Sequence, residues 1–401
     1  MKTKHSFFLT LFFVMGAQLF SQSQFVLKGK IEGKLTGKIS ISYATFGKDD
    51  NKWTRIHDTV AVKNGVFLFH GNIREPLMAW LDYNSKFTTL FIEPSNMELY
   101  LPKDNIEKFK LQGSKIQDDV ELLRSCSKES EDLWTTLDDQ LKPIREQLDT
   151  LKETHPDYKK LSDKKEYLER QIDSIRKLLA QKEIQFIRSN PNSFLPVVYF
   201  SIQRLYTQGY LSLDSTRVLF NNLSEQVRLS SLGMETNKYI QLLEHVRVGK
   251  TAPDFNTPDM NGKMVRLSDF RGKSYVLLDF WASYCGPCLR GVPHLKKVYA
   301  KYHEKGFEIV GVSVDRKKDE WLTAIKKHDI SNWYQVSSAQ DMEKRWQGYM
   351  NDEDINEKYP VDPIPRYVLI NKAGTIIGTW ESYSEENEKD QDAKLKEVFG
   401  E

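Results

Sequence analysis

An apolar run that ends on two closely spaced thiols constrains this chain more than any other stretch. Val276-Leu277-Leu278-Asp279-Phe280-Trp281 reads as a buried strand, and it delivers the chain to Cys285-Gly286-Pro287-Cys288 at the start of a helical segment. Unpaired N–H groups and the helix dipole at such a start favour thiolate over thiol, lowering a cysteine pKa by about one to several units from about 8.5. A reactive cysteine at neutral pH follows. Zinc is the rival reading of a Cys-x-x-Cys pair, but a zinc site needs two further Cys or His ligands at short spacing. The nearest histidine, His294, stands alone. The expectation is therefore no metal and no cofactor.

Asp279-Phe280-Trp281-Ala282 followed by the two cysteines, with Tyr284 just before the first, resembles the active-site signature of the thioredoxins. Gly249-Lys250-Thr251-Ala252-Pro253-Asp254-Phe255 resembles the lead-in of the TlpA/ResA-like thiol-disulfide oxidoreductases of bacterial envelopes, which they share with peroxiredoxins. The resemblance runs from Val248 to the C-terminus and implies an α/β thioredoxin-like fold. Glu308 to Asp315 reads as a buried parallel strand after the CxxC helix. Arg366 to Ile370 and Thr375 to Gly378 read as a hairpin around Asn371-Lys372-Ala373-Gly374.

The resemblance also implies roles. Cys285, exposed at the helix start, attacks a client disulfide, and Cys288, shielded one turn in, resolves the mixed disulfide and leaves a redox-active Cys285–Cys288 disulfide. Asp279 occupies the place of the buried thioredoxin aspartate, and burial should raise its pKa and suit it to accept a proton. Pro365 matches the cis proline of the loop facing the cysteines. Trp281, Tyr284, Gly286, Pro287, Ile364 and Arg366 are the expected client-contacting residues. The chain also departs from the pattern. Gly291 stands where TlpA/ResA-like proteins often carry a glutamate, Gly311 where many thioredoxins carry a lysine, and Arg366 where threonine is common.

The 401 residues have room for more than one domain, and 58 basic against 56 acidic residues give a formal charge of +2, which points away from nucleic acid. Lys2 and Lys4 precede an apolar run from Phe7 to Phe20 and a polar exit at Ser21-Gln22-Ser23-Gln24. This reads as a secretory signal peptide over 1–21, placing the body of the protein in the periplasm or cell envelope. Three cysteines are too few for a structural disulfide framework. Cys126, near Leu122, Leu123 and Trp134, is expected to be buried and inert.

Residues 22–112 alternate or bunch apolar residues between turn signals such as Asn64-Gly65, predicting a small all-β sandwich or barrel. It resembles an N-terminal domain of unassigned function found ahead of secreted thioredoxin-like domains. Residues 113–246 form a helical region. Leu133, Leu137, Leu141, Ile144, Leu148 and Leu151, then Leu161, Leu168, Ile172, Ile175 and Leu179, predict two amphipathic helices joined near His155-Pro156, with Pro143 as a kink or break. They read as an antiparallel hairpin with solvated charged faces, and as the alternative their long apolar stripe suits a docking arm or a homo-oligomer contact. Residues 247–401 are the redox domain.

The function these features imply is an envelope thiol-disulfide oxidoreductase that reduces protein disulfides and is itself reduced by a membrane-borne electron donor. The Gly-Pro pair between the cysteines is the one found in reducing thioredoxins. An oxidant or isomerase of the same fold, and a redox-gated binding protein, are the alternatives. A peroxidase is disfavoured because no threonine lies in Trp281-Ala282-Ser283-Tyr284.

Overall fold

The computed structural model describes residues 23–401 except 34, 48–51, 153, 200, 339–353 and 362. The expected signal peptide over 1–21 lies outside the described residues. Among those described, no helix is long and apolar enough to cross a membrane. The chain divides into two compact units, one holding residues up to Thr45 with Arg55–Gln117, the other Phe46–Thr54 with Asp118–Glu401.

The first unit is all-β. Its strands β1 (Ser23–Ile31), β2 (Gly37–Gly47), β3 (Lys52–Val62), β4 (Val66–Ile73), β5 (Leu77–Tyr83), β6 (Lys86–Ile92), β7 (Asn96–Leu101) and β8 (Lys110–Gln112) make two sheets, ordered β4-β1-β7-β8 and β3-β2-β5-β6. Alternation selects the buried face: Met97, Leu99 and Leu101 of β7 point inward while Asn96, Glu98 and Tyr100 point out. Phe25, Leu27, Ile39, Ile41, Phe69, Leu81 and Leu90, drawn from both sheets, form one core, as in a sandwich. The Asn64-Gly65 turn that joins β3 to β4 has positive φ at both residues, 51° and 78°, which the Asn-Gly pair tolerates.

The hairpin of α1 (Lys115–Thr150) and α2 (Tyr158–Ser189) lies in the second unit but for its first three residues. Ser130 meets Lys182 while Arg145 meets Glu169, so numbering rises on one helix as it falls on the other, and the pair is antiparallel. Leu137, Leu141 and Ile144 pack on Leu168, Ile172 and Ile175, the centre of the expected stripe. The stripe is shorter than its sequence pattern: Leu133 is exposed and α1 ends before Leu151. Pro143 neither breaks nor ends α1, since burial of Leu141 and Ile144 on either side holds the helix through the lost backbone hydrogen bond. Cys126 is exposed rather than buried. At its level α2 approaches through a polar contact, Lys182 Nζ donating to the Cys126 carbonyl at 2.8 Å, and apolar packing begins only further along.

Short helices α3 (Leu195–Val198), α4 (Ser201–Thr207), α5 (Leu213–Asn221), α6 (Glu225–Arg228) and α7 (Ser231–His245) follow. Arg217 ties α5 to α7, with two bonds of 2.8 Å to the Glu244 carboxylate.

The redox domain is built on a five-stranded sheet. A small hairpin, β9 (Asn256–Pro258) and β10 (Met264–Arg266), precedes β11 (Tyr275–Trp281), β12 (Phe307–Ser313), β13 (Tyr334–Ser337), β14 (Arg366–Ile370) and β15 (Ile376–Glu381), ordered β13-β12-β11-β14-β15. The first three strands of that order are parallel and the last two antiparallel. Helix α8 (Gly286–Tyr302) follows β11, α9 (Lys318–His328) follows β12, and the C-terminal helix is Glu385–Phe399. The lead-in lies along the start of β15, with Gly249 N–H bonded to the Ile376 carbonyl at 2.8 Å. This is a thioredoxin-like α/β fold. The central strand is buried on both faces: Leu277 and Trp281 join the α8 side, while Val276, Leu278 and Phe280 pack on the opposite side.

Because Leu141 is enclosed in the hairpin seam and Leu133 is not, Leu141→Ala should destabilise the protein by about 2–5 kcal/mol. Leu133→Ala should stay within about 0.5 kcal/mol of the parent. Urea denaturation followed by helical circular dichroism measures both, and equal costs would contradict the seam.

Candidate active site

The cysteines sit where β11 hands over to α8. Cys285 is the N-cap, its backbone extended at φ −83° and ψ 94°, and its sulfur accepts the Cys288 N–H at 3.2 Å. Pro287 occupies the first turn, where a missing N–H leaves no intrahelical bond unmade. The two cysteines form a disulfide with Cα atoms 5.3 Å apart. The expected contrast in exposure is slight: Cys285 is 7% exposed and Cys288 4%. Both sulfurs belong to an apolar cluster with Trp281, Ala282 and Val292, against which Ile364 packs, and this encloses Cys285 more than its terminal position suggests. The open rim is made by Tyr284, 62% exposed, and by Gly286 and Pro287.

Asp279 lies two residues before Trp281 on the α8 face of β11, in the layer that also holds Cys285 and Cys288. It is buried, and burial pushes its carboxyl up to about 7. Tyr367 faces it directly from β14. Burial, followed by the nearby Asp279 carboxyl, drives the Tyr367 phenol above its ordinary range. A carboxyl that changes charge near neutrality beneath a dithiol can take up the proton that a thiol must lose.

The loop before Cys285 depends on a residue the sequence reading did not single out. Asp315, buried just past β12, accepts the Ser283 N–H at 3.0 and 3.1 Å, the Ser283 hydroxyl, and the Ser313 hydroxyl at 2.7 Å. Val314 N–H also bonds the Trp281 carbonyl at 2.9 Å. The end of β12 thus clamps the turn that presents the cysteines. The signal was present in Ser313-Val314-Asp315 at the carboxyl end of a parallel strand, where sites of α/β folds form.

The Ile364-Pro365 peptide is cis, in agreement with the sequence expectation. Pro365 is buried and Ile364 half-buried beside the cysteine cluster. Arg366, expected to meet clients, is 2% exposed, and its Nη1 donates to Glu381 at 2.9 Å. Strand alternation turns it away from Tyr367 and from the α8 face, so it does not form part of the open rim. Among the described residues no group of three or more His, Cys, Asp or Glu is placed to hold a metal ion. His294 instead pairs with Asp392 at 3.0 Å.

The raised Asp279 pKa makes stability depend on pH. Between about pH 4 and pH 7 the folded chain keeps a proton that the unfolded chain releases, so stability falls as pH rises through that window and levels above it. At about 1.4 kcal/mol per pH unit the fall is on the order of 4 kcal/mol. Asp279→Asn should remove most of the difference between denaturation midpoints of the oxidised protein at pH 5 and pH 8. An undiminished difference would assign the slope to other groups. Asp315→Ala should cost about 1–3 kcal/mol by leaving buried donors unpaired. It should also speed alkylation of the reduced cysteines by loosening their loop, measured by iodoacetamide kinetics.

The Redoxin family model matches residues 247–397, and a Domain of unknown function (DUF4369) matches residues 25–120. The thiol-disulfide oxidoreductase ResA of Bacillus thuringiensis subsp. konkukian is 29% identical over 166 residues, covering 41% of this chain and 88% of that protein. ResA of Bacillus thuringiensis strain Al Hakam is 33% identical over 134 residues, 33% of this chain and 69% of that protein. Among solved structures, the thioredoxin domain of a thiol-disulfide oxidoreductase from Bacteroides vulgatus is 32% identical, covers 37% of this chain and 97% of its own, and gives a TM-score of 0.31. Through its C-terminal domain the chain belongs to the redoxin family of the thioredoxin superfamily, related to the ResA thiol-disulfide oxidoreductases.

Proposed function

We propose that this protein is an exported, TlpA/ResA-like reductase of protein disulfides, working in the cell envelope and recharged by a membrane-borne electron donor. The observation that carries the reading is a cysteine pair at the N-terminus of α8, over a buried carboxyl pushed up to about 7 and beside a cis proline. The leader-like N-terminus supports export, and the Gly286-Pro287 pair supports the reducing direction.

In the reduced protein the Cys285 thiolate, favoured by the Cys288 N–H and the helix terminus, attacks one sulfur of a client disulfide. A Cys285–client disulfide forms and one client thiolate leaves. Cys288 passes its proton to Asp279 and attacks the Cys285 sulfur, which forms the internal disulfide and releases the second client thiolate. Two electrons have moved to the client, and the donor returns two to the Cys285–Cys288 bond. The rim of Tyr284, Gly286 and Pro287, with Ile364 and Pro365 of the facing loop, meets the client. Trp281 is buried against the cysteines and keeps water from them.

Cys288→Ser should retain client proteins as mixed disulfides on Cys285, recovered from envelope extracts by non-reducing electrophoresis, and Cys285→Ser should retain none. Equilibration with glutathione should give a potential near about −270 mV, whereas a value near about −120 mV would make the protein an oxidant. The rate advantage of the parent over Asp279→Asn should grow as pH rises through about 7, where the carboxyl ionises, and shrink again once the Cys288 thiol ionises unaided. Stopped-flow reduction of a disulfide peptide reads it, and a flat ratio across pH would sink the proton-acceptor role.

A further inference from the structure

We propose that Gln335 is a positioning residue for proton transfer at this site, its side-chain carbonyl receiving the hydrogen of the protonated Asp279 carboxyl across the gap left by Gly311. This rests on the reading of Asp279 as proton acceptor. Strand register places the partners in one row. Gln335 on β13 pairs with Gly311 on β12, Gly311 with Asp279 on β11, and Asp279 with Tyr367 on β14. Phe307 and Ile309, which alternate with Gly311, share the α8 face with Leu277 and Trp281, which alternate with Asp279.

Gln335 and Asp279 lie two strands apart, roughly 9.6 Å between Cα atoms at about 4.8 Å per strand. An extended glutamine and an aspartate can span that distance only if the strand between them carries no side chain. Gly311 meets this condition, and the amide has moved in. A Cβ at position 311 would sit 2.5 Å from Gln335 Oε1 and 3.0 Å from its Cδ and Nε2. The side chain therefore leans across β12 towards β11.

The amide's orientation follows from its anchor. Gln335 Nε2 donates to the Ile330 carbonyl at 3.0 Å, which leaves Oε1 as the group over the glycine. Among the described residues Oε1 has no hydrogen-bond partner, and it is buried in a residue 1% exposed. A carbonyl oxygen can accept a hydrogen from a neutral carboxylic acid but repels a carboxylate, so this contact favours the protonated form of Asp279. During resolution the Cys288 S–H bond breaks as the Asp279 O–H bond forms. The hydrogen then rests against Gln335 Oε1 while the Cys288 sulfur attacks Cys285, and the negative charge leaves on the client thiolate.

Among the described residues the titratable groups facing Asp279 are Cys285 and Cys288 from the N-terminal end of α8 and Tyr367 from β14, with Tyr383 and Glu388 beyond Tyr367. None of these is a cation. The second vacant position is occupied in the same manner, since a Cβ at Gly291 would lie 2.9 Å from the Tyr367 hydroxyl. Neutral hydrogen-bonding groups thus reach into both glycine positions.

The test is a carbon-13 NMR titration of the Asp279 carboxyl in the oxidised full-length protein. Gln335→Met keeps length and packing while removing the acceptor, and the midpoint should fall by about one pH unit. A folded Gln335→Met protein whose midpoint moves by less than about 0.2 pH unit would overturn the proposal. If the methionine variant does not fold, Gln335→Asn withdraws the oxygen by one methylene, with the same expectation and the same overturning result. Failure of the underlying reading shows elsewhere, in an Asp279→Asn exchange rate that keeps the parent's pH profile.

Discussion

Enclosing one carboxyl group in the apolar layer between the central sheet and α8 is the constraint around which the redox domain is arranged. A charge there is costly, so the group stays protonated to a higher pH, and its neighbours must tolerate both forms. Leu277, Trp281, Val292 and Leu295 exclude water from the layer. Gly311 and Gly291 leave room in it, and Gln335 and Tyr367 fill that room with groups that stay neutral over the working pH range. The acid can therefore change its charge state without a fixed cation beside it. Its pKa is set by solvent exclusion, and so by packing.

The reactive end of this layer is assembled from three stretches far apart in sequence. Residues 282–288 carry the thiols, residues 313–315 clamp the turn before them, and residues 364–366 bring the facing proline. The β-strands fix the spacing of all three, because each stretch adjoins an end of a strand in the same sheet, the first two leaving β11 and β12 and the third entering β14. Hydrogen bonds of Asp315 then set the turn, which no local propensity would hold in that shape.

The chemistry of the site was legible in sequence because it depends on local order. A strand, a turn, an N-capping cysteine and a second thiol one turn later all lie within about 14 residues, and Asp279 is placed by the two-residue period of the same strand. Proline 365 was readable from its place before a strand. What escaped reading depends on register between distant strands. The Gln335–Gly311–Asp279 row exists only once β11, β12 and β13 are aligned, and nothing near Gln335 announces it. Arg366 was misplaced for the same reason: its neighbour is the cis proline, but the parity of β14 points it to the other face. Cys126 is exposed because it lies on the face of α1 that Leu122 also turns to solvent, while Ser127 and Ser130 face inward. The two-layer β-fold of the first unit was readable as a class from alternation and turns, while its sheet order was not.

The ion pair between Arg366 and Glu381 has a further partner. Tyr206 of α4 donates to the Glu381 carboxylate at 3.1 Å, and burial with this acid beside it drives the phenol up to about 12. A helix outside the thioredoxin-like fold therefore helps hold the strand that begins immediately after Pro365, and the helical region and the redox domain fall in one compact unit. Sequence placed the border between them at residue 247, but the hydrogen bonding crosses it. The redox domain cut free at that point would lose the hydroxyl that satisfies Glu381 and uncover a guanidinium built for enclosure. The helical region is in this sense part of the scaffold of the redox domain.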